Sequence, residues 1–431
     1  MGLLDFLRRL LGGQPASPND QPSAPDTSTL VRDPRTGGVT PAAPKLLAPL
    51  RYRSSLNRTA TAAERVAELP YRFANLSVDG DGYLDLSTDA DERWLEHFDL
   101  PHLRTPEDLA NFLQLPLGKL AWLTHRFEEG GRPAGEKESH YHHHWVKKKL
   151  GGHRLIEAPK QTLKMVQRRI LRDILDHVPP HPAAHGFVTG RSIRTNAEPH
   201  VGKSVLLKFD LQNFYPSVRY SRVVAIFRSV GFSREVAIWL GRLTTSAIPA
   251  SLKYPQDDPS ALWMYYPRHL PQGACTSPAL ANLSAFALDV RLTGLARKYD
   301  VHYTRYADDL TFSGTGRFGG ALSEFIPLVT HIAKSERFYI HRQKRRVLRG
   351  SQRQTVAGVV VNEKPNVSRR DFDRLKSILH NCAKHGPSTQ NHDDHPDFAA
   401  HLAGRIGHVL HLNPHRGAKL RELYNQIDWS R

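Results

Sequence analysis

The sequence predicts an α+β protein, and three stretches carry that prediction. Ser204 to Leu211 (SVLLKFDL) is a short apolar run that suits a buried strand. Val301 to Ser313 reads as a hairpin with Ala307, Asp308 and Asp309 at its turn. Around them apolar residues recur at helical spacing, and Ser368 to Trp429 reads as three helices.

In chain order, Leu3, Phe6, Leu7, Leu10 and Leu11 fall on one helical face, which fits a short docking helix or a frayed terminus. Residues 12–60 are rich in Pro, Ser, Thr, Asp and Gly, so 1–61 reads as a disordered tether carrying that short helix. Patterning begins near Ala62. Thr105 followed by Pro106 and two acids is a helix start, and a second helix is expected over 117–127. Residues 62–135 therefore read as a helical N-terminal extension. Asp79-Gly-Asp-Gly-Tyr83 opens like a calcium loop, but Tyr83, Leu84 and Ala90 occupy ligand or glycine positions, which leaves a polar turn. His140 and His142–His144 cannot easily converge on one ion, so HYHHHWVKKK reads as a basic strand beside nucleic acid.

Leu163, Val166, Ile170, Ile174 and Val178 make the stripe of a helix over 162–178, stopped by Pro179 and Pro180. Helices are expected near 221–230 and 233–246, and an apolar strand at 356–361.

Lys and Arg number 60 against 42 Asp and Glu, a formal charge of +18. That excess favours a polyanionic partner, because each neutralised phosphate releases counterions. Cys275 and Cys382 are too few for a disulfide framework and form no CxxC pair, which fits a reducing cytoplasm. No apolar run reaches the ~18 residues of a membrane span.

Tyr306-Ala-Asp-Asp309 puts two carboxylates side by side at a tight turn, where their repulsion weakens the hairpin unless a divalent cation compensates; a solvated turn is the plainer reading. Asp210 shifts the balance toward the cation. It closes the apolar strand between Phe209 and Leu211, where a carboxylate is costly unless paired or metal-bound. It lies 98 residues before Asp308, a separation that suits neighbouring strands with helices between. Three carboxylates there would hold two Mg²⁺ ions for nucleotidyl transfer. Between them comes LPQGACTSP (270–278), with Gly273 for close backbone approach, Gln272 as donor and acceptor, and Pro278 at a helix start.

In this order the segments resemble the palm motifs of reverse transcriptases, and from about residue 150 the chain is similar to the bacterial retron-type enzymes. The likeness runs through GGHRLIEAPKQTLKMVQRRIL (151–171), HGFVTGRSIRTNAEPH (185–200), FDLQNFYPSV (209–218), LPQGACTSP, RYADDLTFSG (305–314), FYIHRQKRR (338–346) and VAGVVVNEKPNVSRR (356–370). The resemblance implies a right-hand polymerase fold: fingers at 136–203, a catalytic palm with an antiparallel sheet at 204–367, and a helical thumb at 368–431. It implies metal ligation by Asp210, Asp308, Asp309 and the Leu211 carbonyl, with Mn²⁺ an alternative to Mg²⁺. Tyr215 would be a gate against a ribose 2′-hydroxyl, and Gln272 a contact to the incoming nucleotide. Arg154 and Arg191 would meet triphosphate or template phosphate, or are surface charges. Lys344 would protonate pyrophosphate, or contact phosphate. Asn196-Ala-Glu-Pro-His200 matches the family's NAxxH element, associated with binding its own RNA through Asn196 and His200. The family's VTG is VAG here (Val356 to Gly358), and His341 replaces a common Asn.

The family further implies a structured non-coding RNA as template and primer, dNTPs, an RNA–DNA hybrid product with RNA-linked DNA, a host RNase H, an effector protein and a role in phage defence. Two alternatives stay open: a reverse transcriptase of another bacterial lineage, diversity-generating or abortive-infection-like, and a non-catalytic RNA-binding scaffold.

Overall fold

A computed structural model describes residues 31–32, 39–40, 63–77, 79–124, 132–148, 151–255 and 259–430. The chain divides into units of residues 1–47 and 48–431. In the first, β1 (Val31–Arg32) pairs antiparallel with β2 (Val39–Thr40). The helix expected over residues 3–11 and the rest of the tether lie outside the described residues.

The second unit opens on a sheet of order β3-β5-β4, made of β3 (Glu64–Val66), β4 (Asn75–Leu76) and β5 (Tyr83–Asp85). This sheet adds to the mostly helical extension expected for 62–135, because strands of two or three residues are too short to show alternation. Arg65 pairs with Asp79 at 2.8 Å and Asp81 at 3.8 Å, so an arginine serves the DGDG turn. Helices α1 (Glu92–His97), α2 (Pro106–Leu113) and α3 (Leu117–Thr124) follow. Thr105 caps α2 as its sequence predicts, taking the Asp108 N–H while Asp108 takes that of Thr105.

β6 (Tyr141–Lys147) and β7 (His153–Pro159) form an antiparallel hairpin. α4 (Gln161–Asp173) buries Leu163, Val166 and Ile170 as expected, but it ends at Asp173 and a 3₁₀ turn carries the chain toward Val178. α5 (Ile193–Ala197) ends on the first two residues of the NAxxH segment, and a 3₁₀ turn over Glu198–His200 carries the rest.

At the centre stands a four-stranded antiparallel sheet. It comprises β8 (Val205–Asp210), β9 (His302–Tyr306), β10 (Asp309–Gly314) and β11 (Arg346–Arg349), in the order β11-β8-β10-β9. Between β8 and β9 the chain forms α6 (Phe214–Ser217), α7 (Tyr220–Ser229), α8 (Arg234–Thr244), α9 (Ser277–Ser284) and α10 (Phe286–Lys298). After β10 comes α11 (Gly316–Ser335). Phe209, Phe312 and Phe325 are fully buried and stack edge-to-face at 6.0 and 5.1 Å. Each such ring contributes about 1.5–3 kcal/mol on leaving water.

The strand expected at 356–361 is instead a hairpin, β12 (Thr355–Val356) and β13 (Val359–Val360), with Ala357 and Gly358 at φ +45° and +84° in its turn. Two positive φ values suit the tight turn that joins antiparallel strands. α12 (Arg369–His385), α13 (Phe398–Leu412) and α14 (Pro414–Tyr424) complete the chain, and Leu375, Leu379, Leu402 and Ile406 share a core with Val356 and Val359. No single helix among the described residues is long and apolar enough to cross a membrane.

Candidate active site

The sheet brings the three sequence-predicted acids together. β8 ends on Asp210, β10 begins on Asp309, and the register sets them directly opposite each other. Across the hairpin Asp309 faces Tyr306, which leaves Ala307 and Asp308 as a two-residue turn. Ala307 sits at φ +52°, a left-handed conformation costing an alanine roughly 1–2 kcal/mol.

A buried network holds that turn. Arg305 is fully buried; its Nη2 and Nε bond Asp289 at 2.6 and 2.8 Å, while Nη1 donates to Asn282 Oδ1 at 2.8 Å and the Ala307 carbonyl at 3.2 Å. Asn282 donates onward to the Gly186 carbonyl at 2.9 Å. Gly186 approaches so closely that a Cβ there would lie 2.8 Å from the Ala307 nitrogen, so glycine is required. From the other strand, the Leu211 N–H donates to the Asp308 carbonyl at 2.9 Å.

The acids pay electrostatically for this proximity. Burial, then Asp309 and Asp210, push the Asp308 carboxyl up to about 6. Burial also raises Asp309, opposed mainly by the Lys208 charge. Asp210 gives both oxygens to Lys344 Nζ, each at 3.0 Å. Among the described residues no group of three or more His, Cys, Asp or Glu side chains could hold a metal ion as it stands. The donor set nevertheless suits a hard divalent cation: all its atoms are oxygens, they repel one another, and a cationic ammonium already occupies Asp210.

Around the acids stand groups suited to a nucleotide. Tyr215 lies half-buried on α6, its hydroxyl pushed up to about 12 by burial and then by Asp308. Arg154 is exposed on β7. Lys148, at the turn of the same hairpin, was not singled out from sequence. Burial, then Arg154 and Lys344, lower its pKa while Asp210 opposes them, so it belongs to the same electrostatic neighbourhood. Within a KKK run no signal separated it from its neighbours.

Gln272 is tied in through its backbone, its carbonyl accepting the Glu157 N–H at 2.9 Å. Gly273 lies at φ +141°, and a Cβ there would be 2.9 Å from the Glu157 carbonyl. The fully buried Glu157 carboxylate bonds His269 Nε2 at 2.9 Å. Burial raises that carboxyl, but the charge and hydrogen bond of His269 outweigh it and hold it below the usual range. This pair was also missed, since its partners lie 112 positions apart.

Three expected contacts need correction. Arg191 directs Nη1 to the carbonyls of Pro182 and of Ala184, the latter at 3.0 Å, so this nitrogen braces the chain rather than facing phosphate. Asn196 and His200 are buried, with His200 bonded to Ser313 Oγ at 2.6 Å and Thr304 Oγ1 at 2.8 Å. Burial first, then nearby cationic groups, lower the His200 imidazole to about 3. The His200 side chain fastens the turn after α5 to the sheet, the Asn196 backbone carbonyl accepts from Thr304 Oγ1 at 3.3 Å, and both side chains are buried inside the protein.

An antiparallel sheet bearing three acids at one end, covered by helices and followed by a helical C-terminal bundle, defines a right-hand nucleic-acid polymerase. Residues 146–364 match the family model described as reverse transcriptase (RNA-dependent DNA polymerase). The chain is 41% identical to the retron Mx65 reverse transcriptase of Myxococcus xanthus, over 77% of this chain and 73% of that one. It is 34% identical to the retron Mx162 reverse transcriptase of the same organism, over 78% and 72%. A solved telomerase from Candida albicans, in complex with a fragment of telomeric RNA, aligns over 72% of this chain and 62% of its own at 12% identity with a TM-score of 0.38. The chain belongs to the retron-type reverse transcriptases, and it is an RNA-directed DNA polymerase.

Proposed function

We propose that the chain copies a structured non-coding RNA into single-stranded, RNA-linked DNA, with residues 136–203 as fingers, 204–367 as palm and 368–431 as thumb. One observation carries the site assignment: Asp210 and Asp309 face each other across one strand pair, and Asp308 beside them is pushed up to about 6 by burial and those like charges. Such a cluster is held for a cation. Asp210, Asp308, Asp309 and the Leu211 carbonyl would hold two Mg²⁺ ions, with Mn²⁺ able to replace them; when bound, they supply Lewis-acid activation and charge neutralisation.

The chain's own residues do the rest. Lys148 and Arg154 on the fingers hairpin draw in the triphosphate of a dNTP, and Gln272 positions the nucleotide from a loop locked to β7. Tyr215 closes the space a ribose 2′-hydroxyl would need. Lys344 leaves Asp210 and protonates the departing pyrophosphate. Arg191 positions residues 182–184.

Membership of the retron enzymes supports the wider reading. In it the RNA serves as template and primer, the product is an RNA–DNA hybrid, a host RNase H removes template, and the enzyme works in the prokaryotic cytoplasm with an effector protein in phage defence.

The test is primer extension on an RNA template. Asp308→Ala combined with Asp309→Ala is expected to reduce incorporation to background while RNA binding persists; undiminished synthesis would refute the site. Tyr215→Ala is expected to admit ribonucleotides, and unchanged sugar discrimination would remove the gate.

A further inference from the structure

We infer that Phe187 is a stacking platform for a nucleobase at the polymerase site, an inference that rests on the reading above. Phe187 combines two local costs with little return in the free protein. The residue is 61% exposed, and its backbone lies at φ +60°, where a bulky residue is an outlier. Strain of this kind persists where surrounding structure imposes it, and it clusters at functional sites.

The imposing structure is the segment just before it. Arg305 N–H donates to the Ala183 carbonyl at 2.7 Å, and His185 N–H to the Arg305 carbonyl at 2.8 Å, so residues 183–185 run along β9. Gly186 then presses on the Tyr306–Ala307 backbone, with Asn282 fixing its carbonyl. The next residue is thereby delivered to the turn that carries the acids. Its ring lies 6.1 Å from that of Tyr306, tilted by 43°.

An exposed ring held rigidly beside a polymerisation site offers a sequence-tolerant π-face, and any base can use it. The ligand is a nucleobase, either the primer's terminal base or the first unpaired template base.

The experiment uses the full chain with an RNA template and DNA primer, carrying 2-aminopurine at one or the other position. Quenching at the primer end assigns the ring to the primer, and quenching at the template base assigns it to the template. Quenching at neither overturns the inference. Phe187→Ala is expected to abolish the quench and to raise KM for primer–template about tenfold, with KM for dNTP unchanged. Phe187→Tyr is expected to restore both. Phe187→Gly should lose the quench while Tm holds or rises, since glycine accepts the positive φ. An alanine variant with normal quench and KM, or a tyrosine variant as impaired as alanine, would overturn the assignment. Failure of the polymerase reading looks different: the wild-type chain itself would incorporate nothing.

Discussion

Two polar clusters hang on the same four-stranded sheet, and they are balanced in opposite ways. At one end Asp210, Asp308 and Asp309 are crowded together, with Asp308 pushed up to about 6. Elsewhere on β9 and β10, His200, Thr304 and Ser313 form a buried neutral chain in which each imidazole nitrogen has a hydroxyl partner. The Arg305–Asp289 pair is likewise fully buried and well bonded. Satisfied polarity marks parts that fix the architecture, and unbalanced polarity marks the part held ready for a ligand.

Substitutions can break that contrast. The largest stability effect is expected at Arg305: Arg305→Met leaves the buried Asp289 without its cationic partner and should cost about 3–5 kcal/mol in chemical denaturation. A loss under 1 kcal/mol would mean that the network does not hold the turn.

His200→Ala comes next, with about 2–4 kcal/mol lost and RNA affinity unchanged in the folded protein. Weaker RNA binding at unaltered stability would return His200 to the RNA interface. The pH dependence has a definite sign. His200 titrates near 3 when folded and near 6.5 when unfolded, so the unfolded chain binds the extra proton. Its contribution is complete above pH 6.5 and falls away toward pH 3, with about 2 kcal/mol gone by pH 5. The wild-type should lose stability over this window more steeply than His200→Ala.

Asp308→Asn should act in the opposite direction. Its folded carboxyl is raised, so ionisation between pH 4 and 6 works against folding. In metal-free buffer at pH 7 the amide is expected to stabilise the fold by about 1–3 kcal/mol and to abolish synthesis. Added Mg²⁺ should raise the Tm of the wild-type but not of this variant. A less stable Asn variant would show that the acids do not strain the fold.

The smallest stability change is expected at Lys344. Its bridge to Asp210 is partly exposed, so Lys344→Ala should shift stability by no more than about 1 kcal/mol, while incorporation falls by roughly 10²-fold. Full activity in that variant would leave Lys344 a plain counter-ion.

Much of this was legible in the sequence, for identifiable reasons. Val205 to Phe209 shows as a strand because an apolar run broken only by Lys208 needs cover on both faces, and Asp210 stands out as a carboxylate at its end. Thr105 carries its cap locally. What stayed hidden depends on distant partners or very short elements. The strands at 64–66, 75–76 and 83–85 are too brief for alternation. Glu157 finds His269 only through the fold. Asn196 and His200 look like surface recognition groups until the hydroxyls of β9 and β10 are placed against His200. Lys148 gains its role from the hairpin that carries it toward Asp210.

The α5 segment also decides how far the molecule can be taken apart. Arg194 donates to the His411 carbonyl at 3.0 Å, Gly202 N–H to that of Val361 at 2.9 Å, and Leu206 of the central sheet shares one apolar core with α12 and α13. Trimming the chain after residue 367 would strip the cover from Val356, Val359 and Leu206. The last three helices are thus not a detachable module, and a shortened version should precipitate rather than survive as a minimal enzyme.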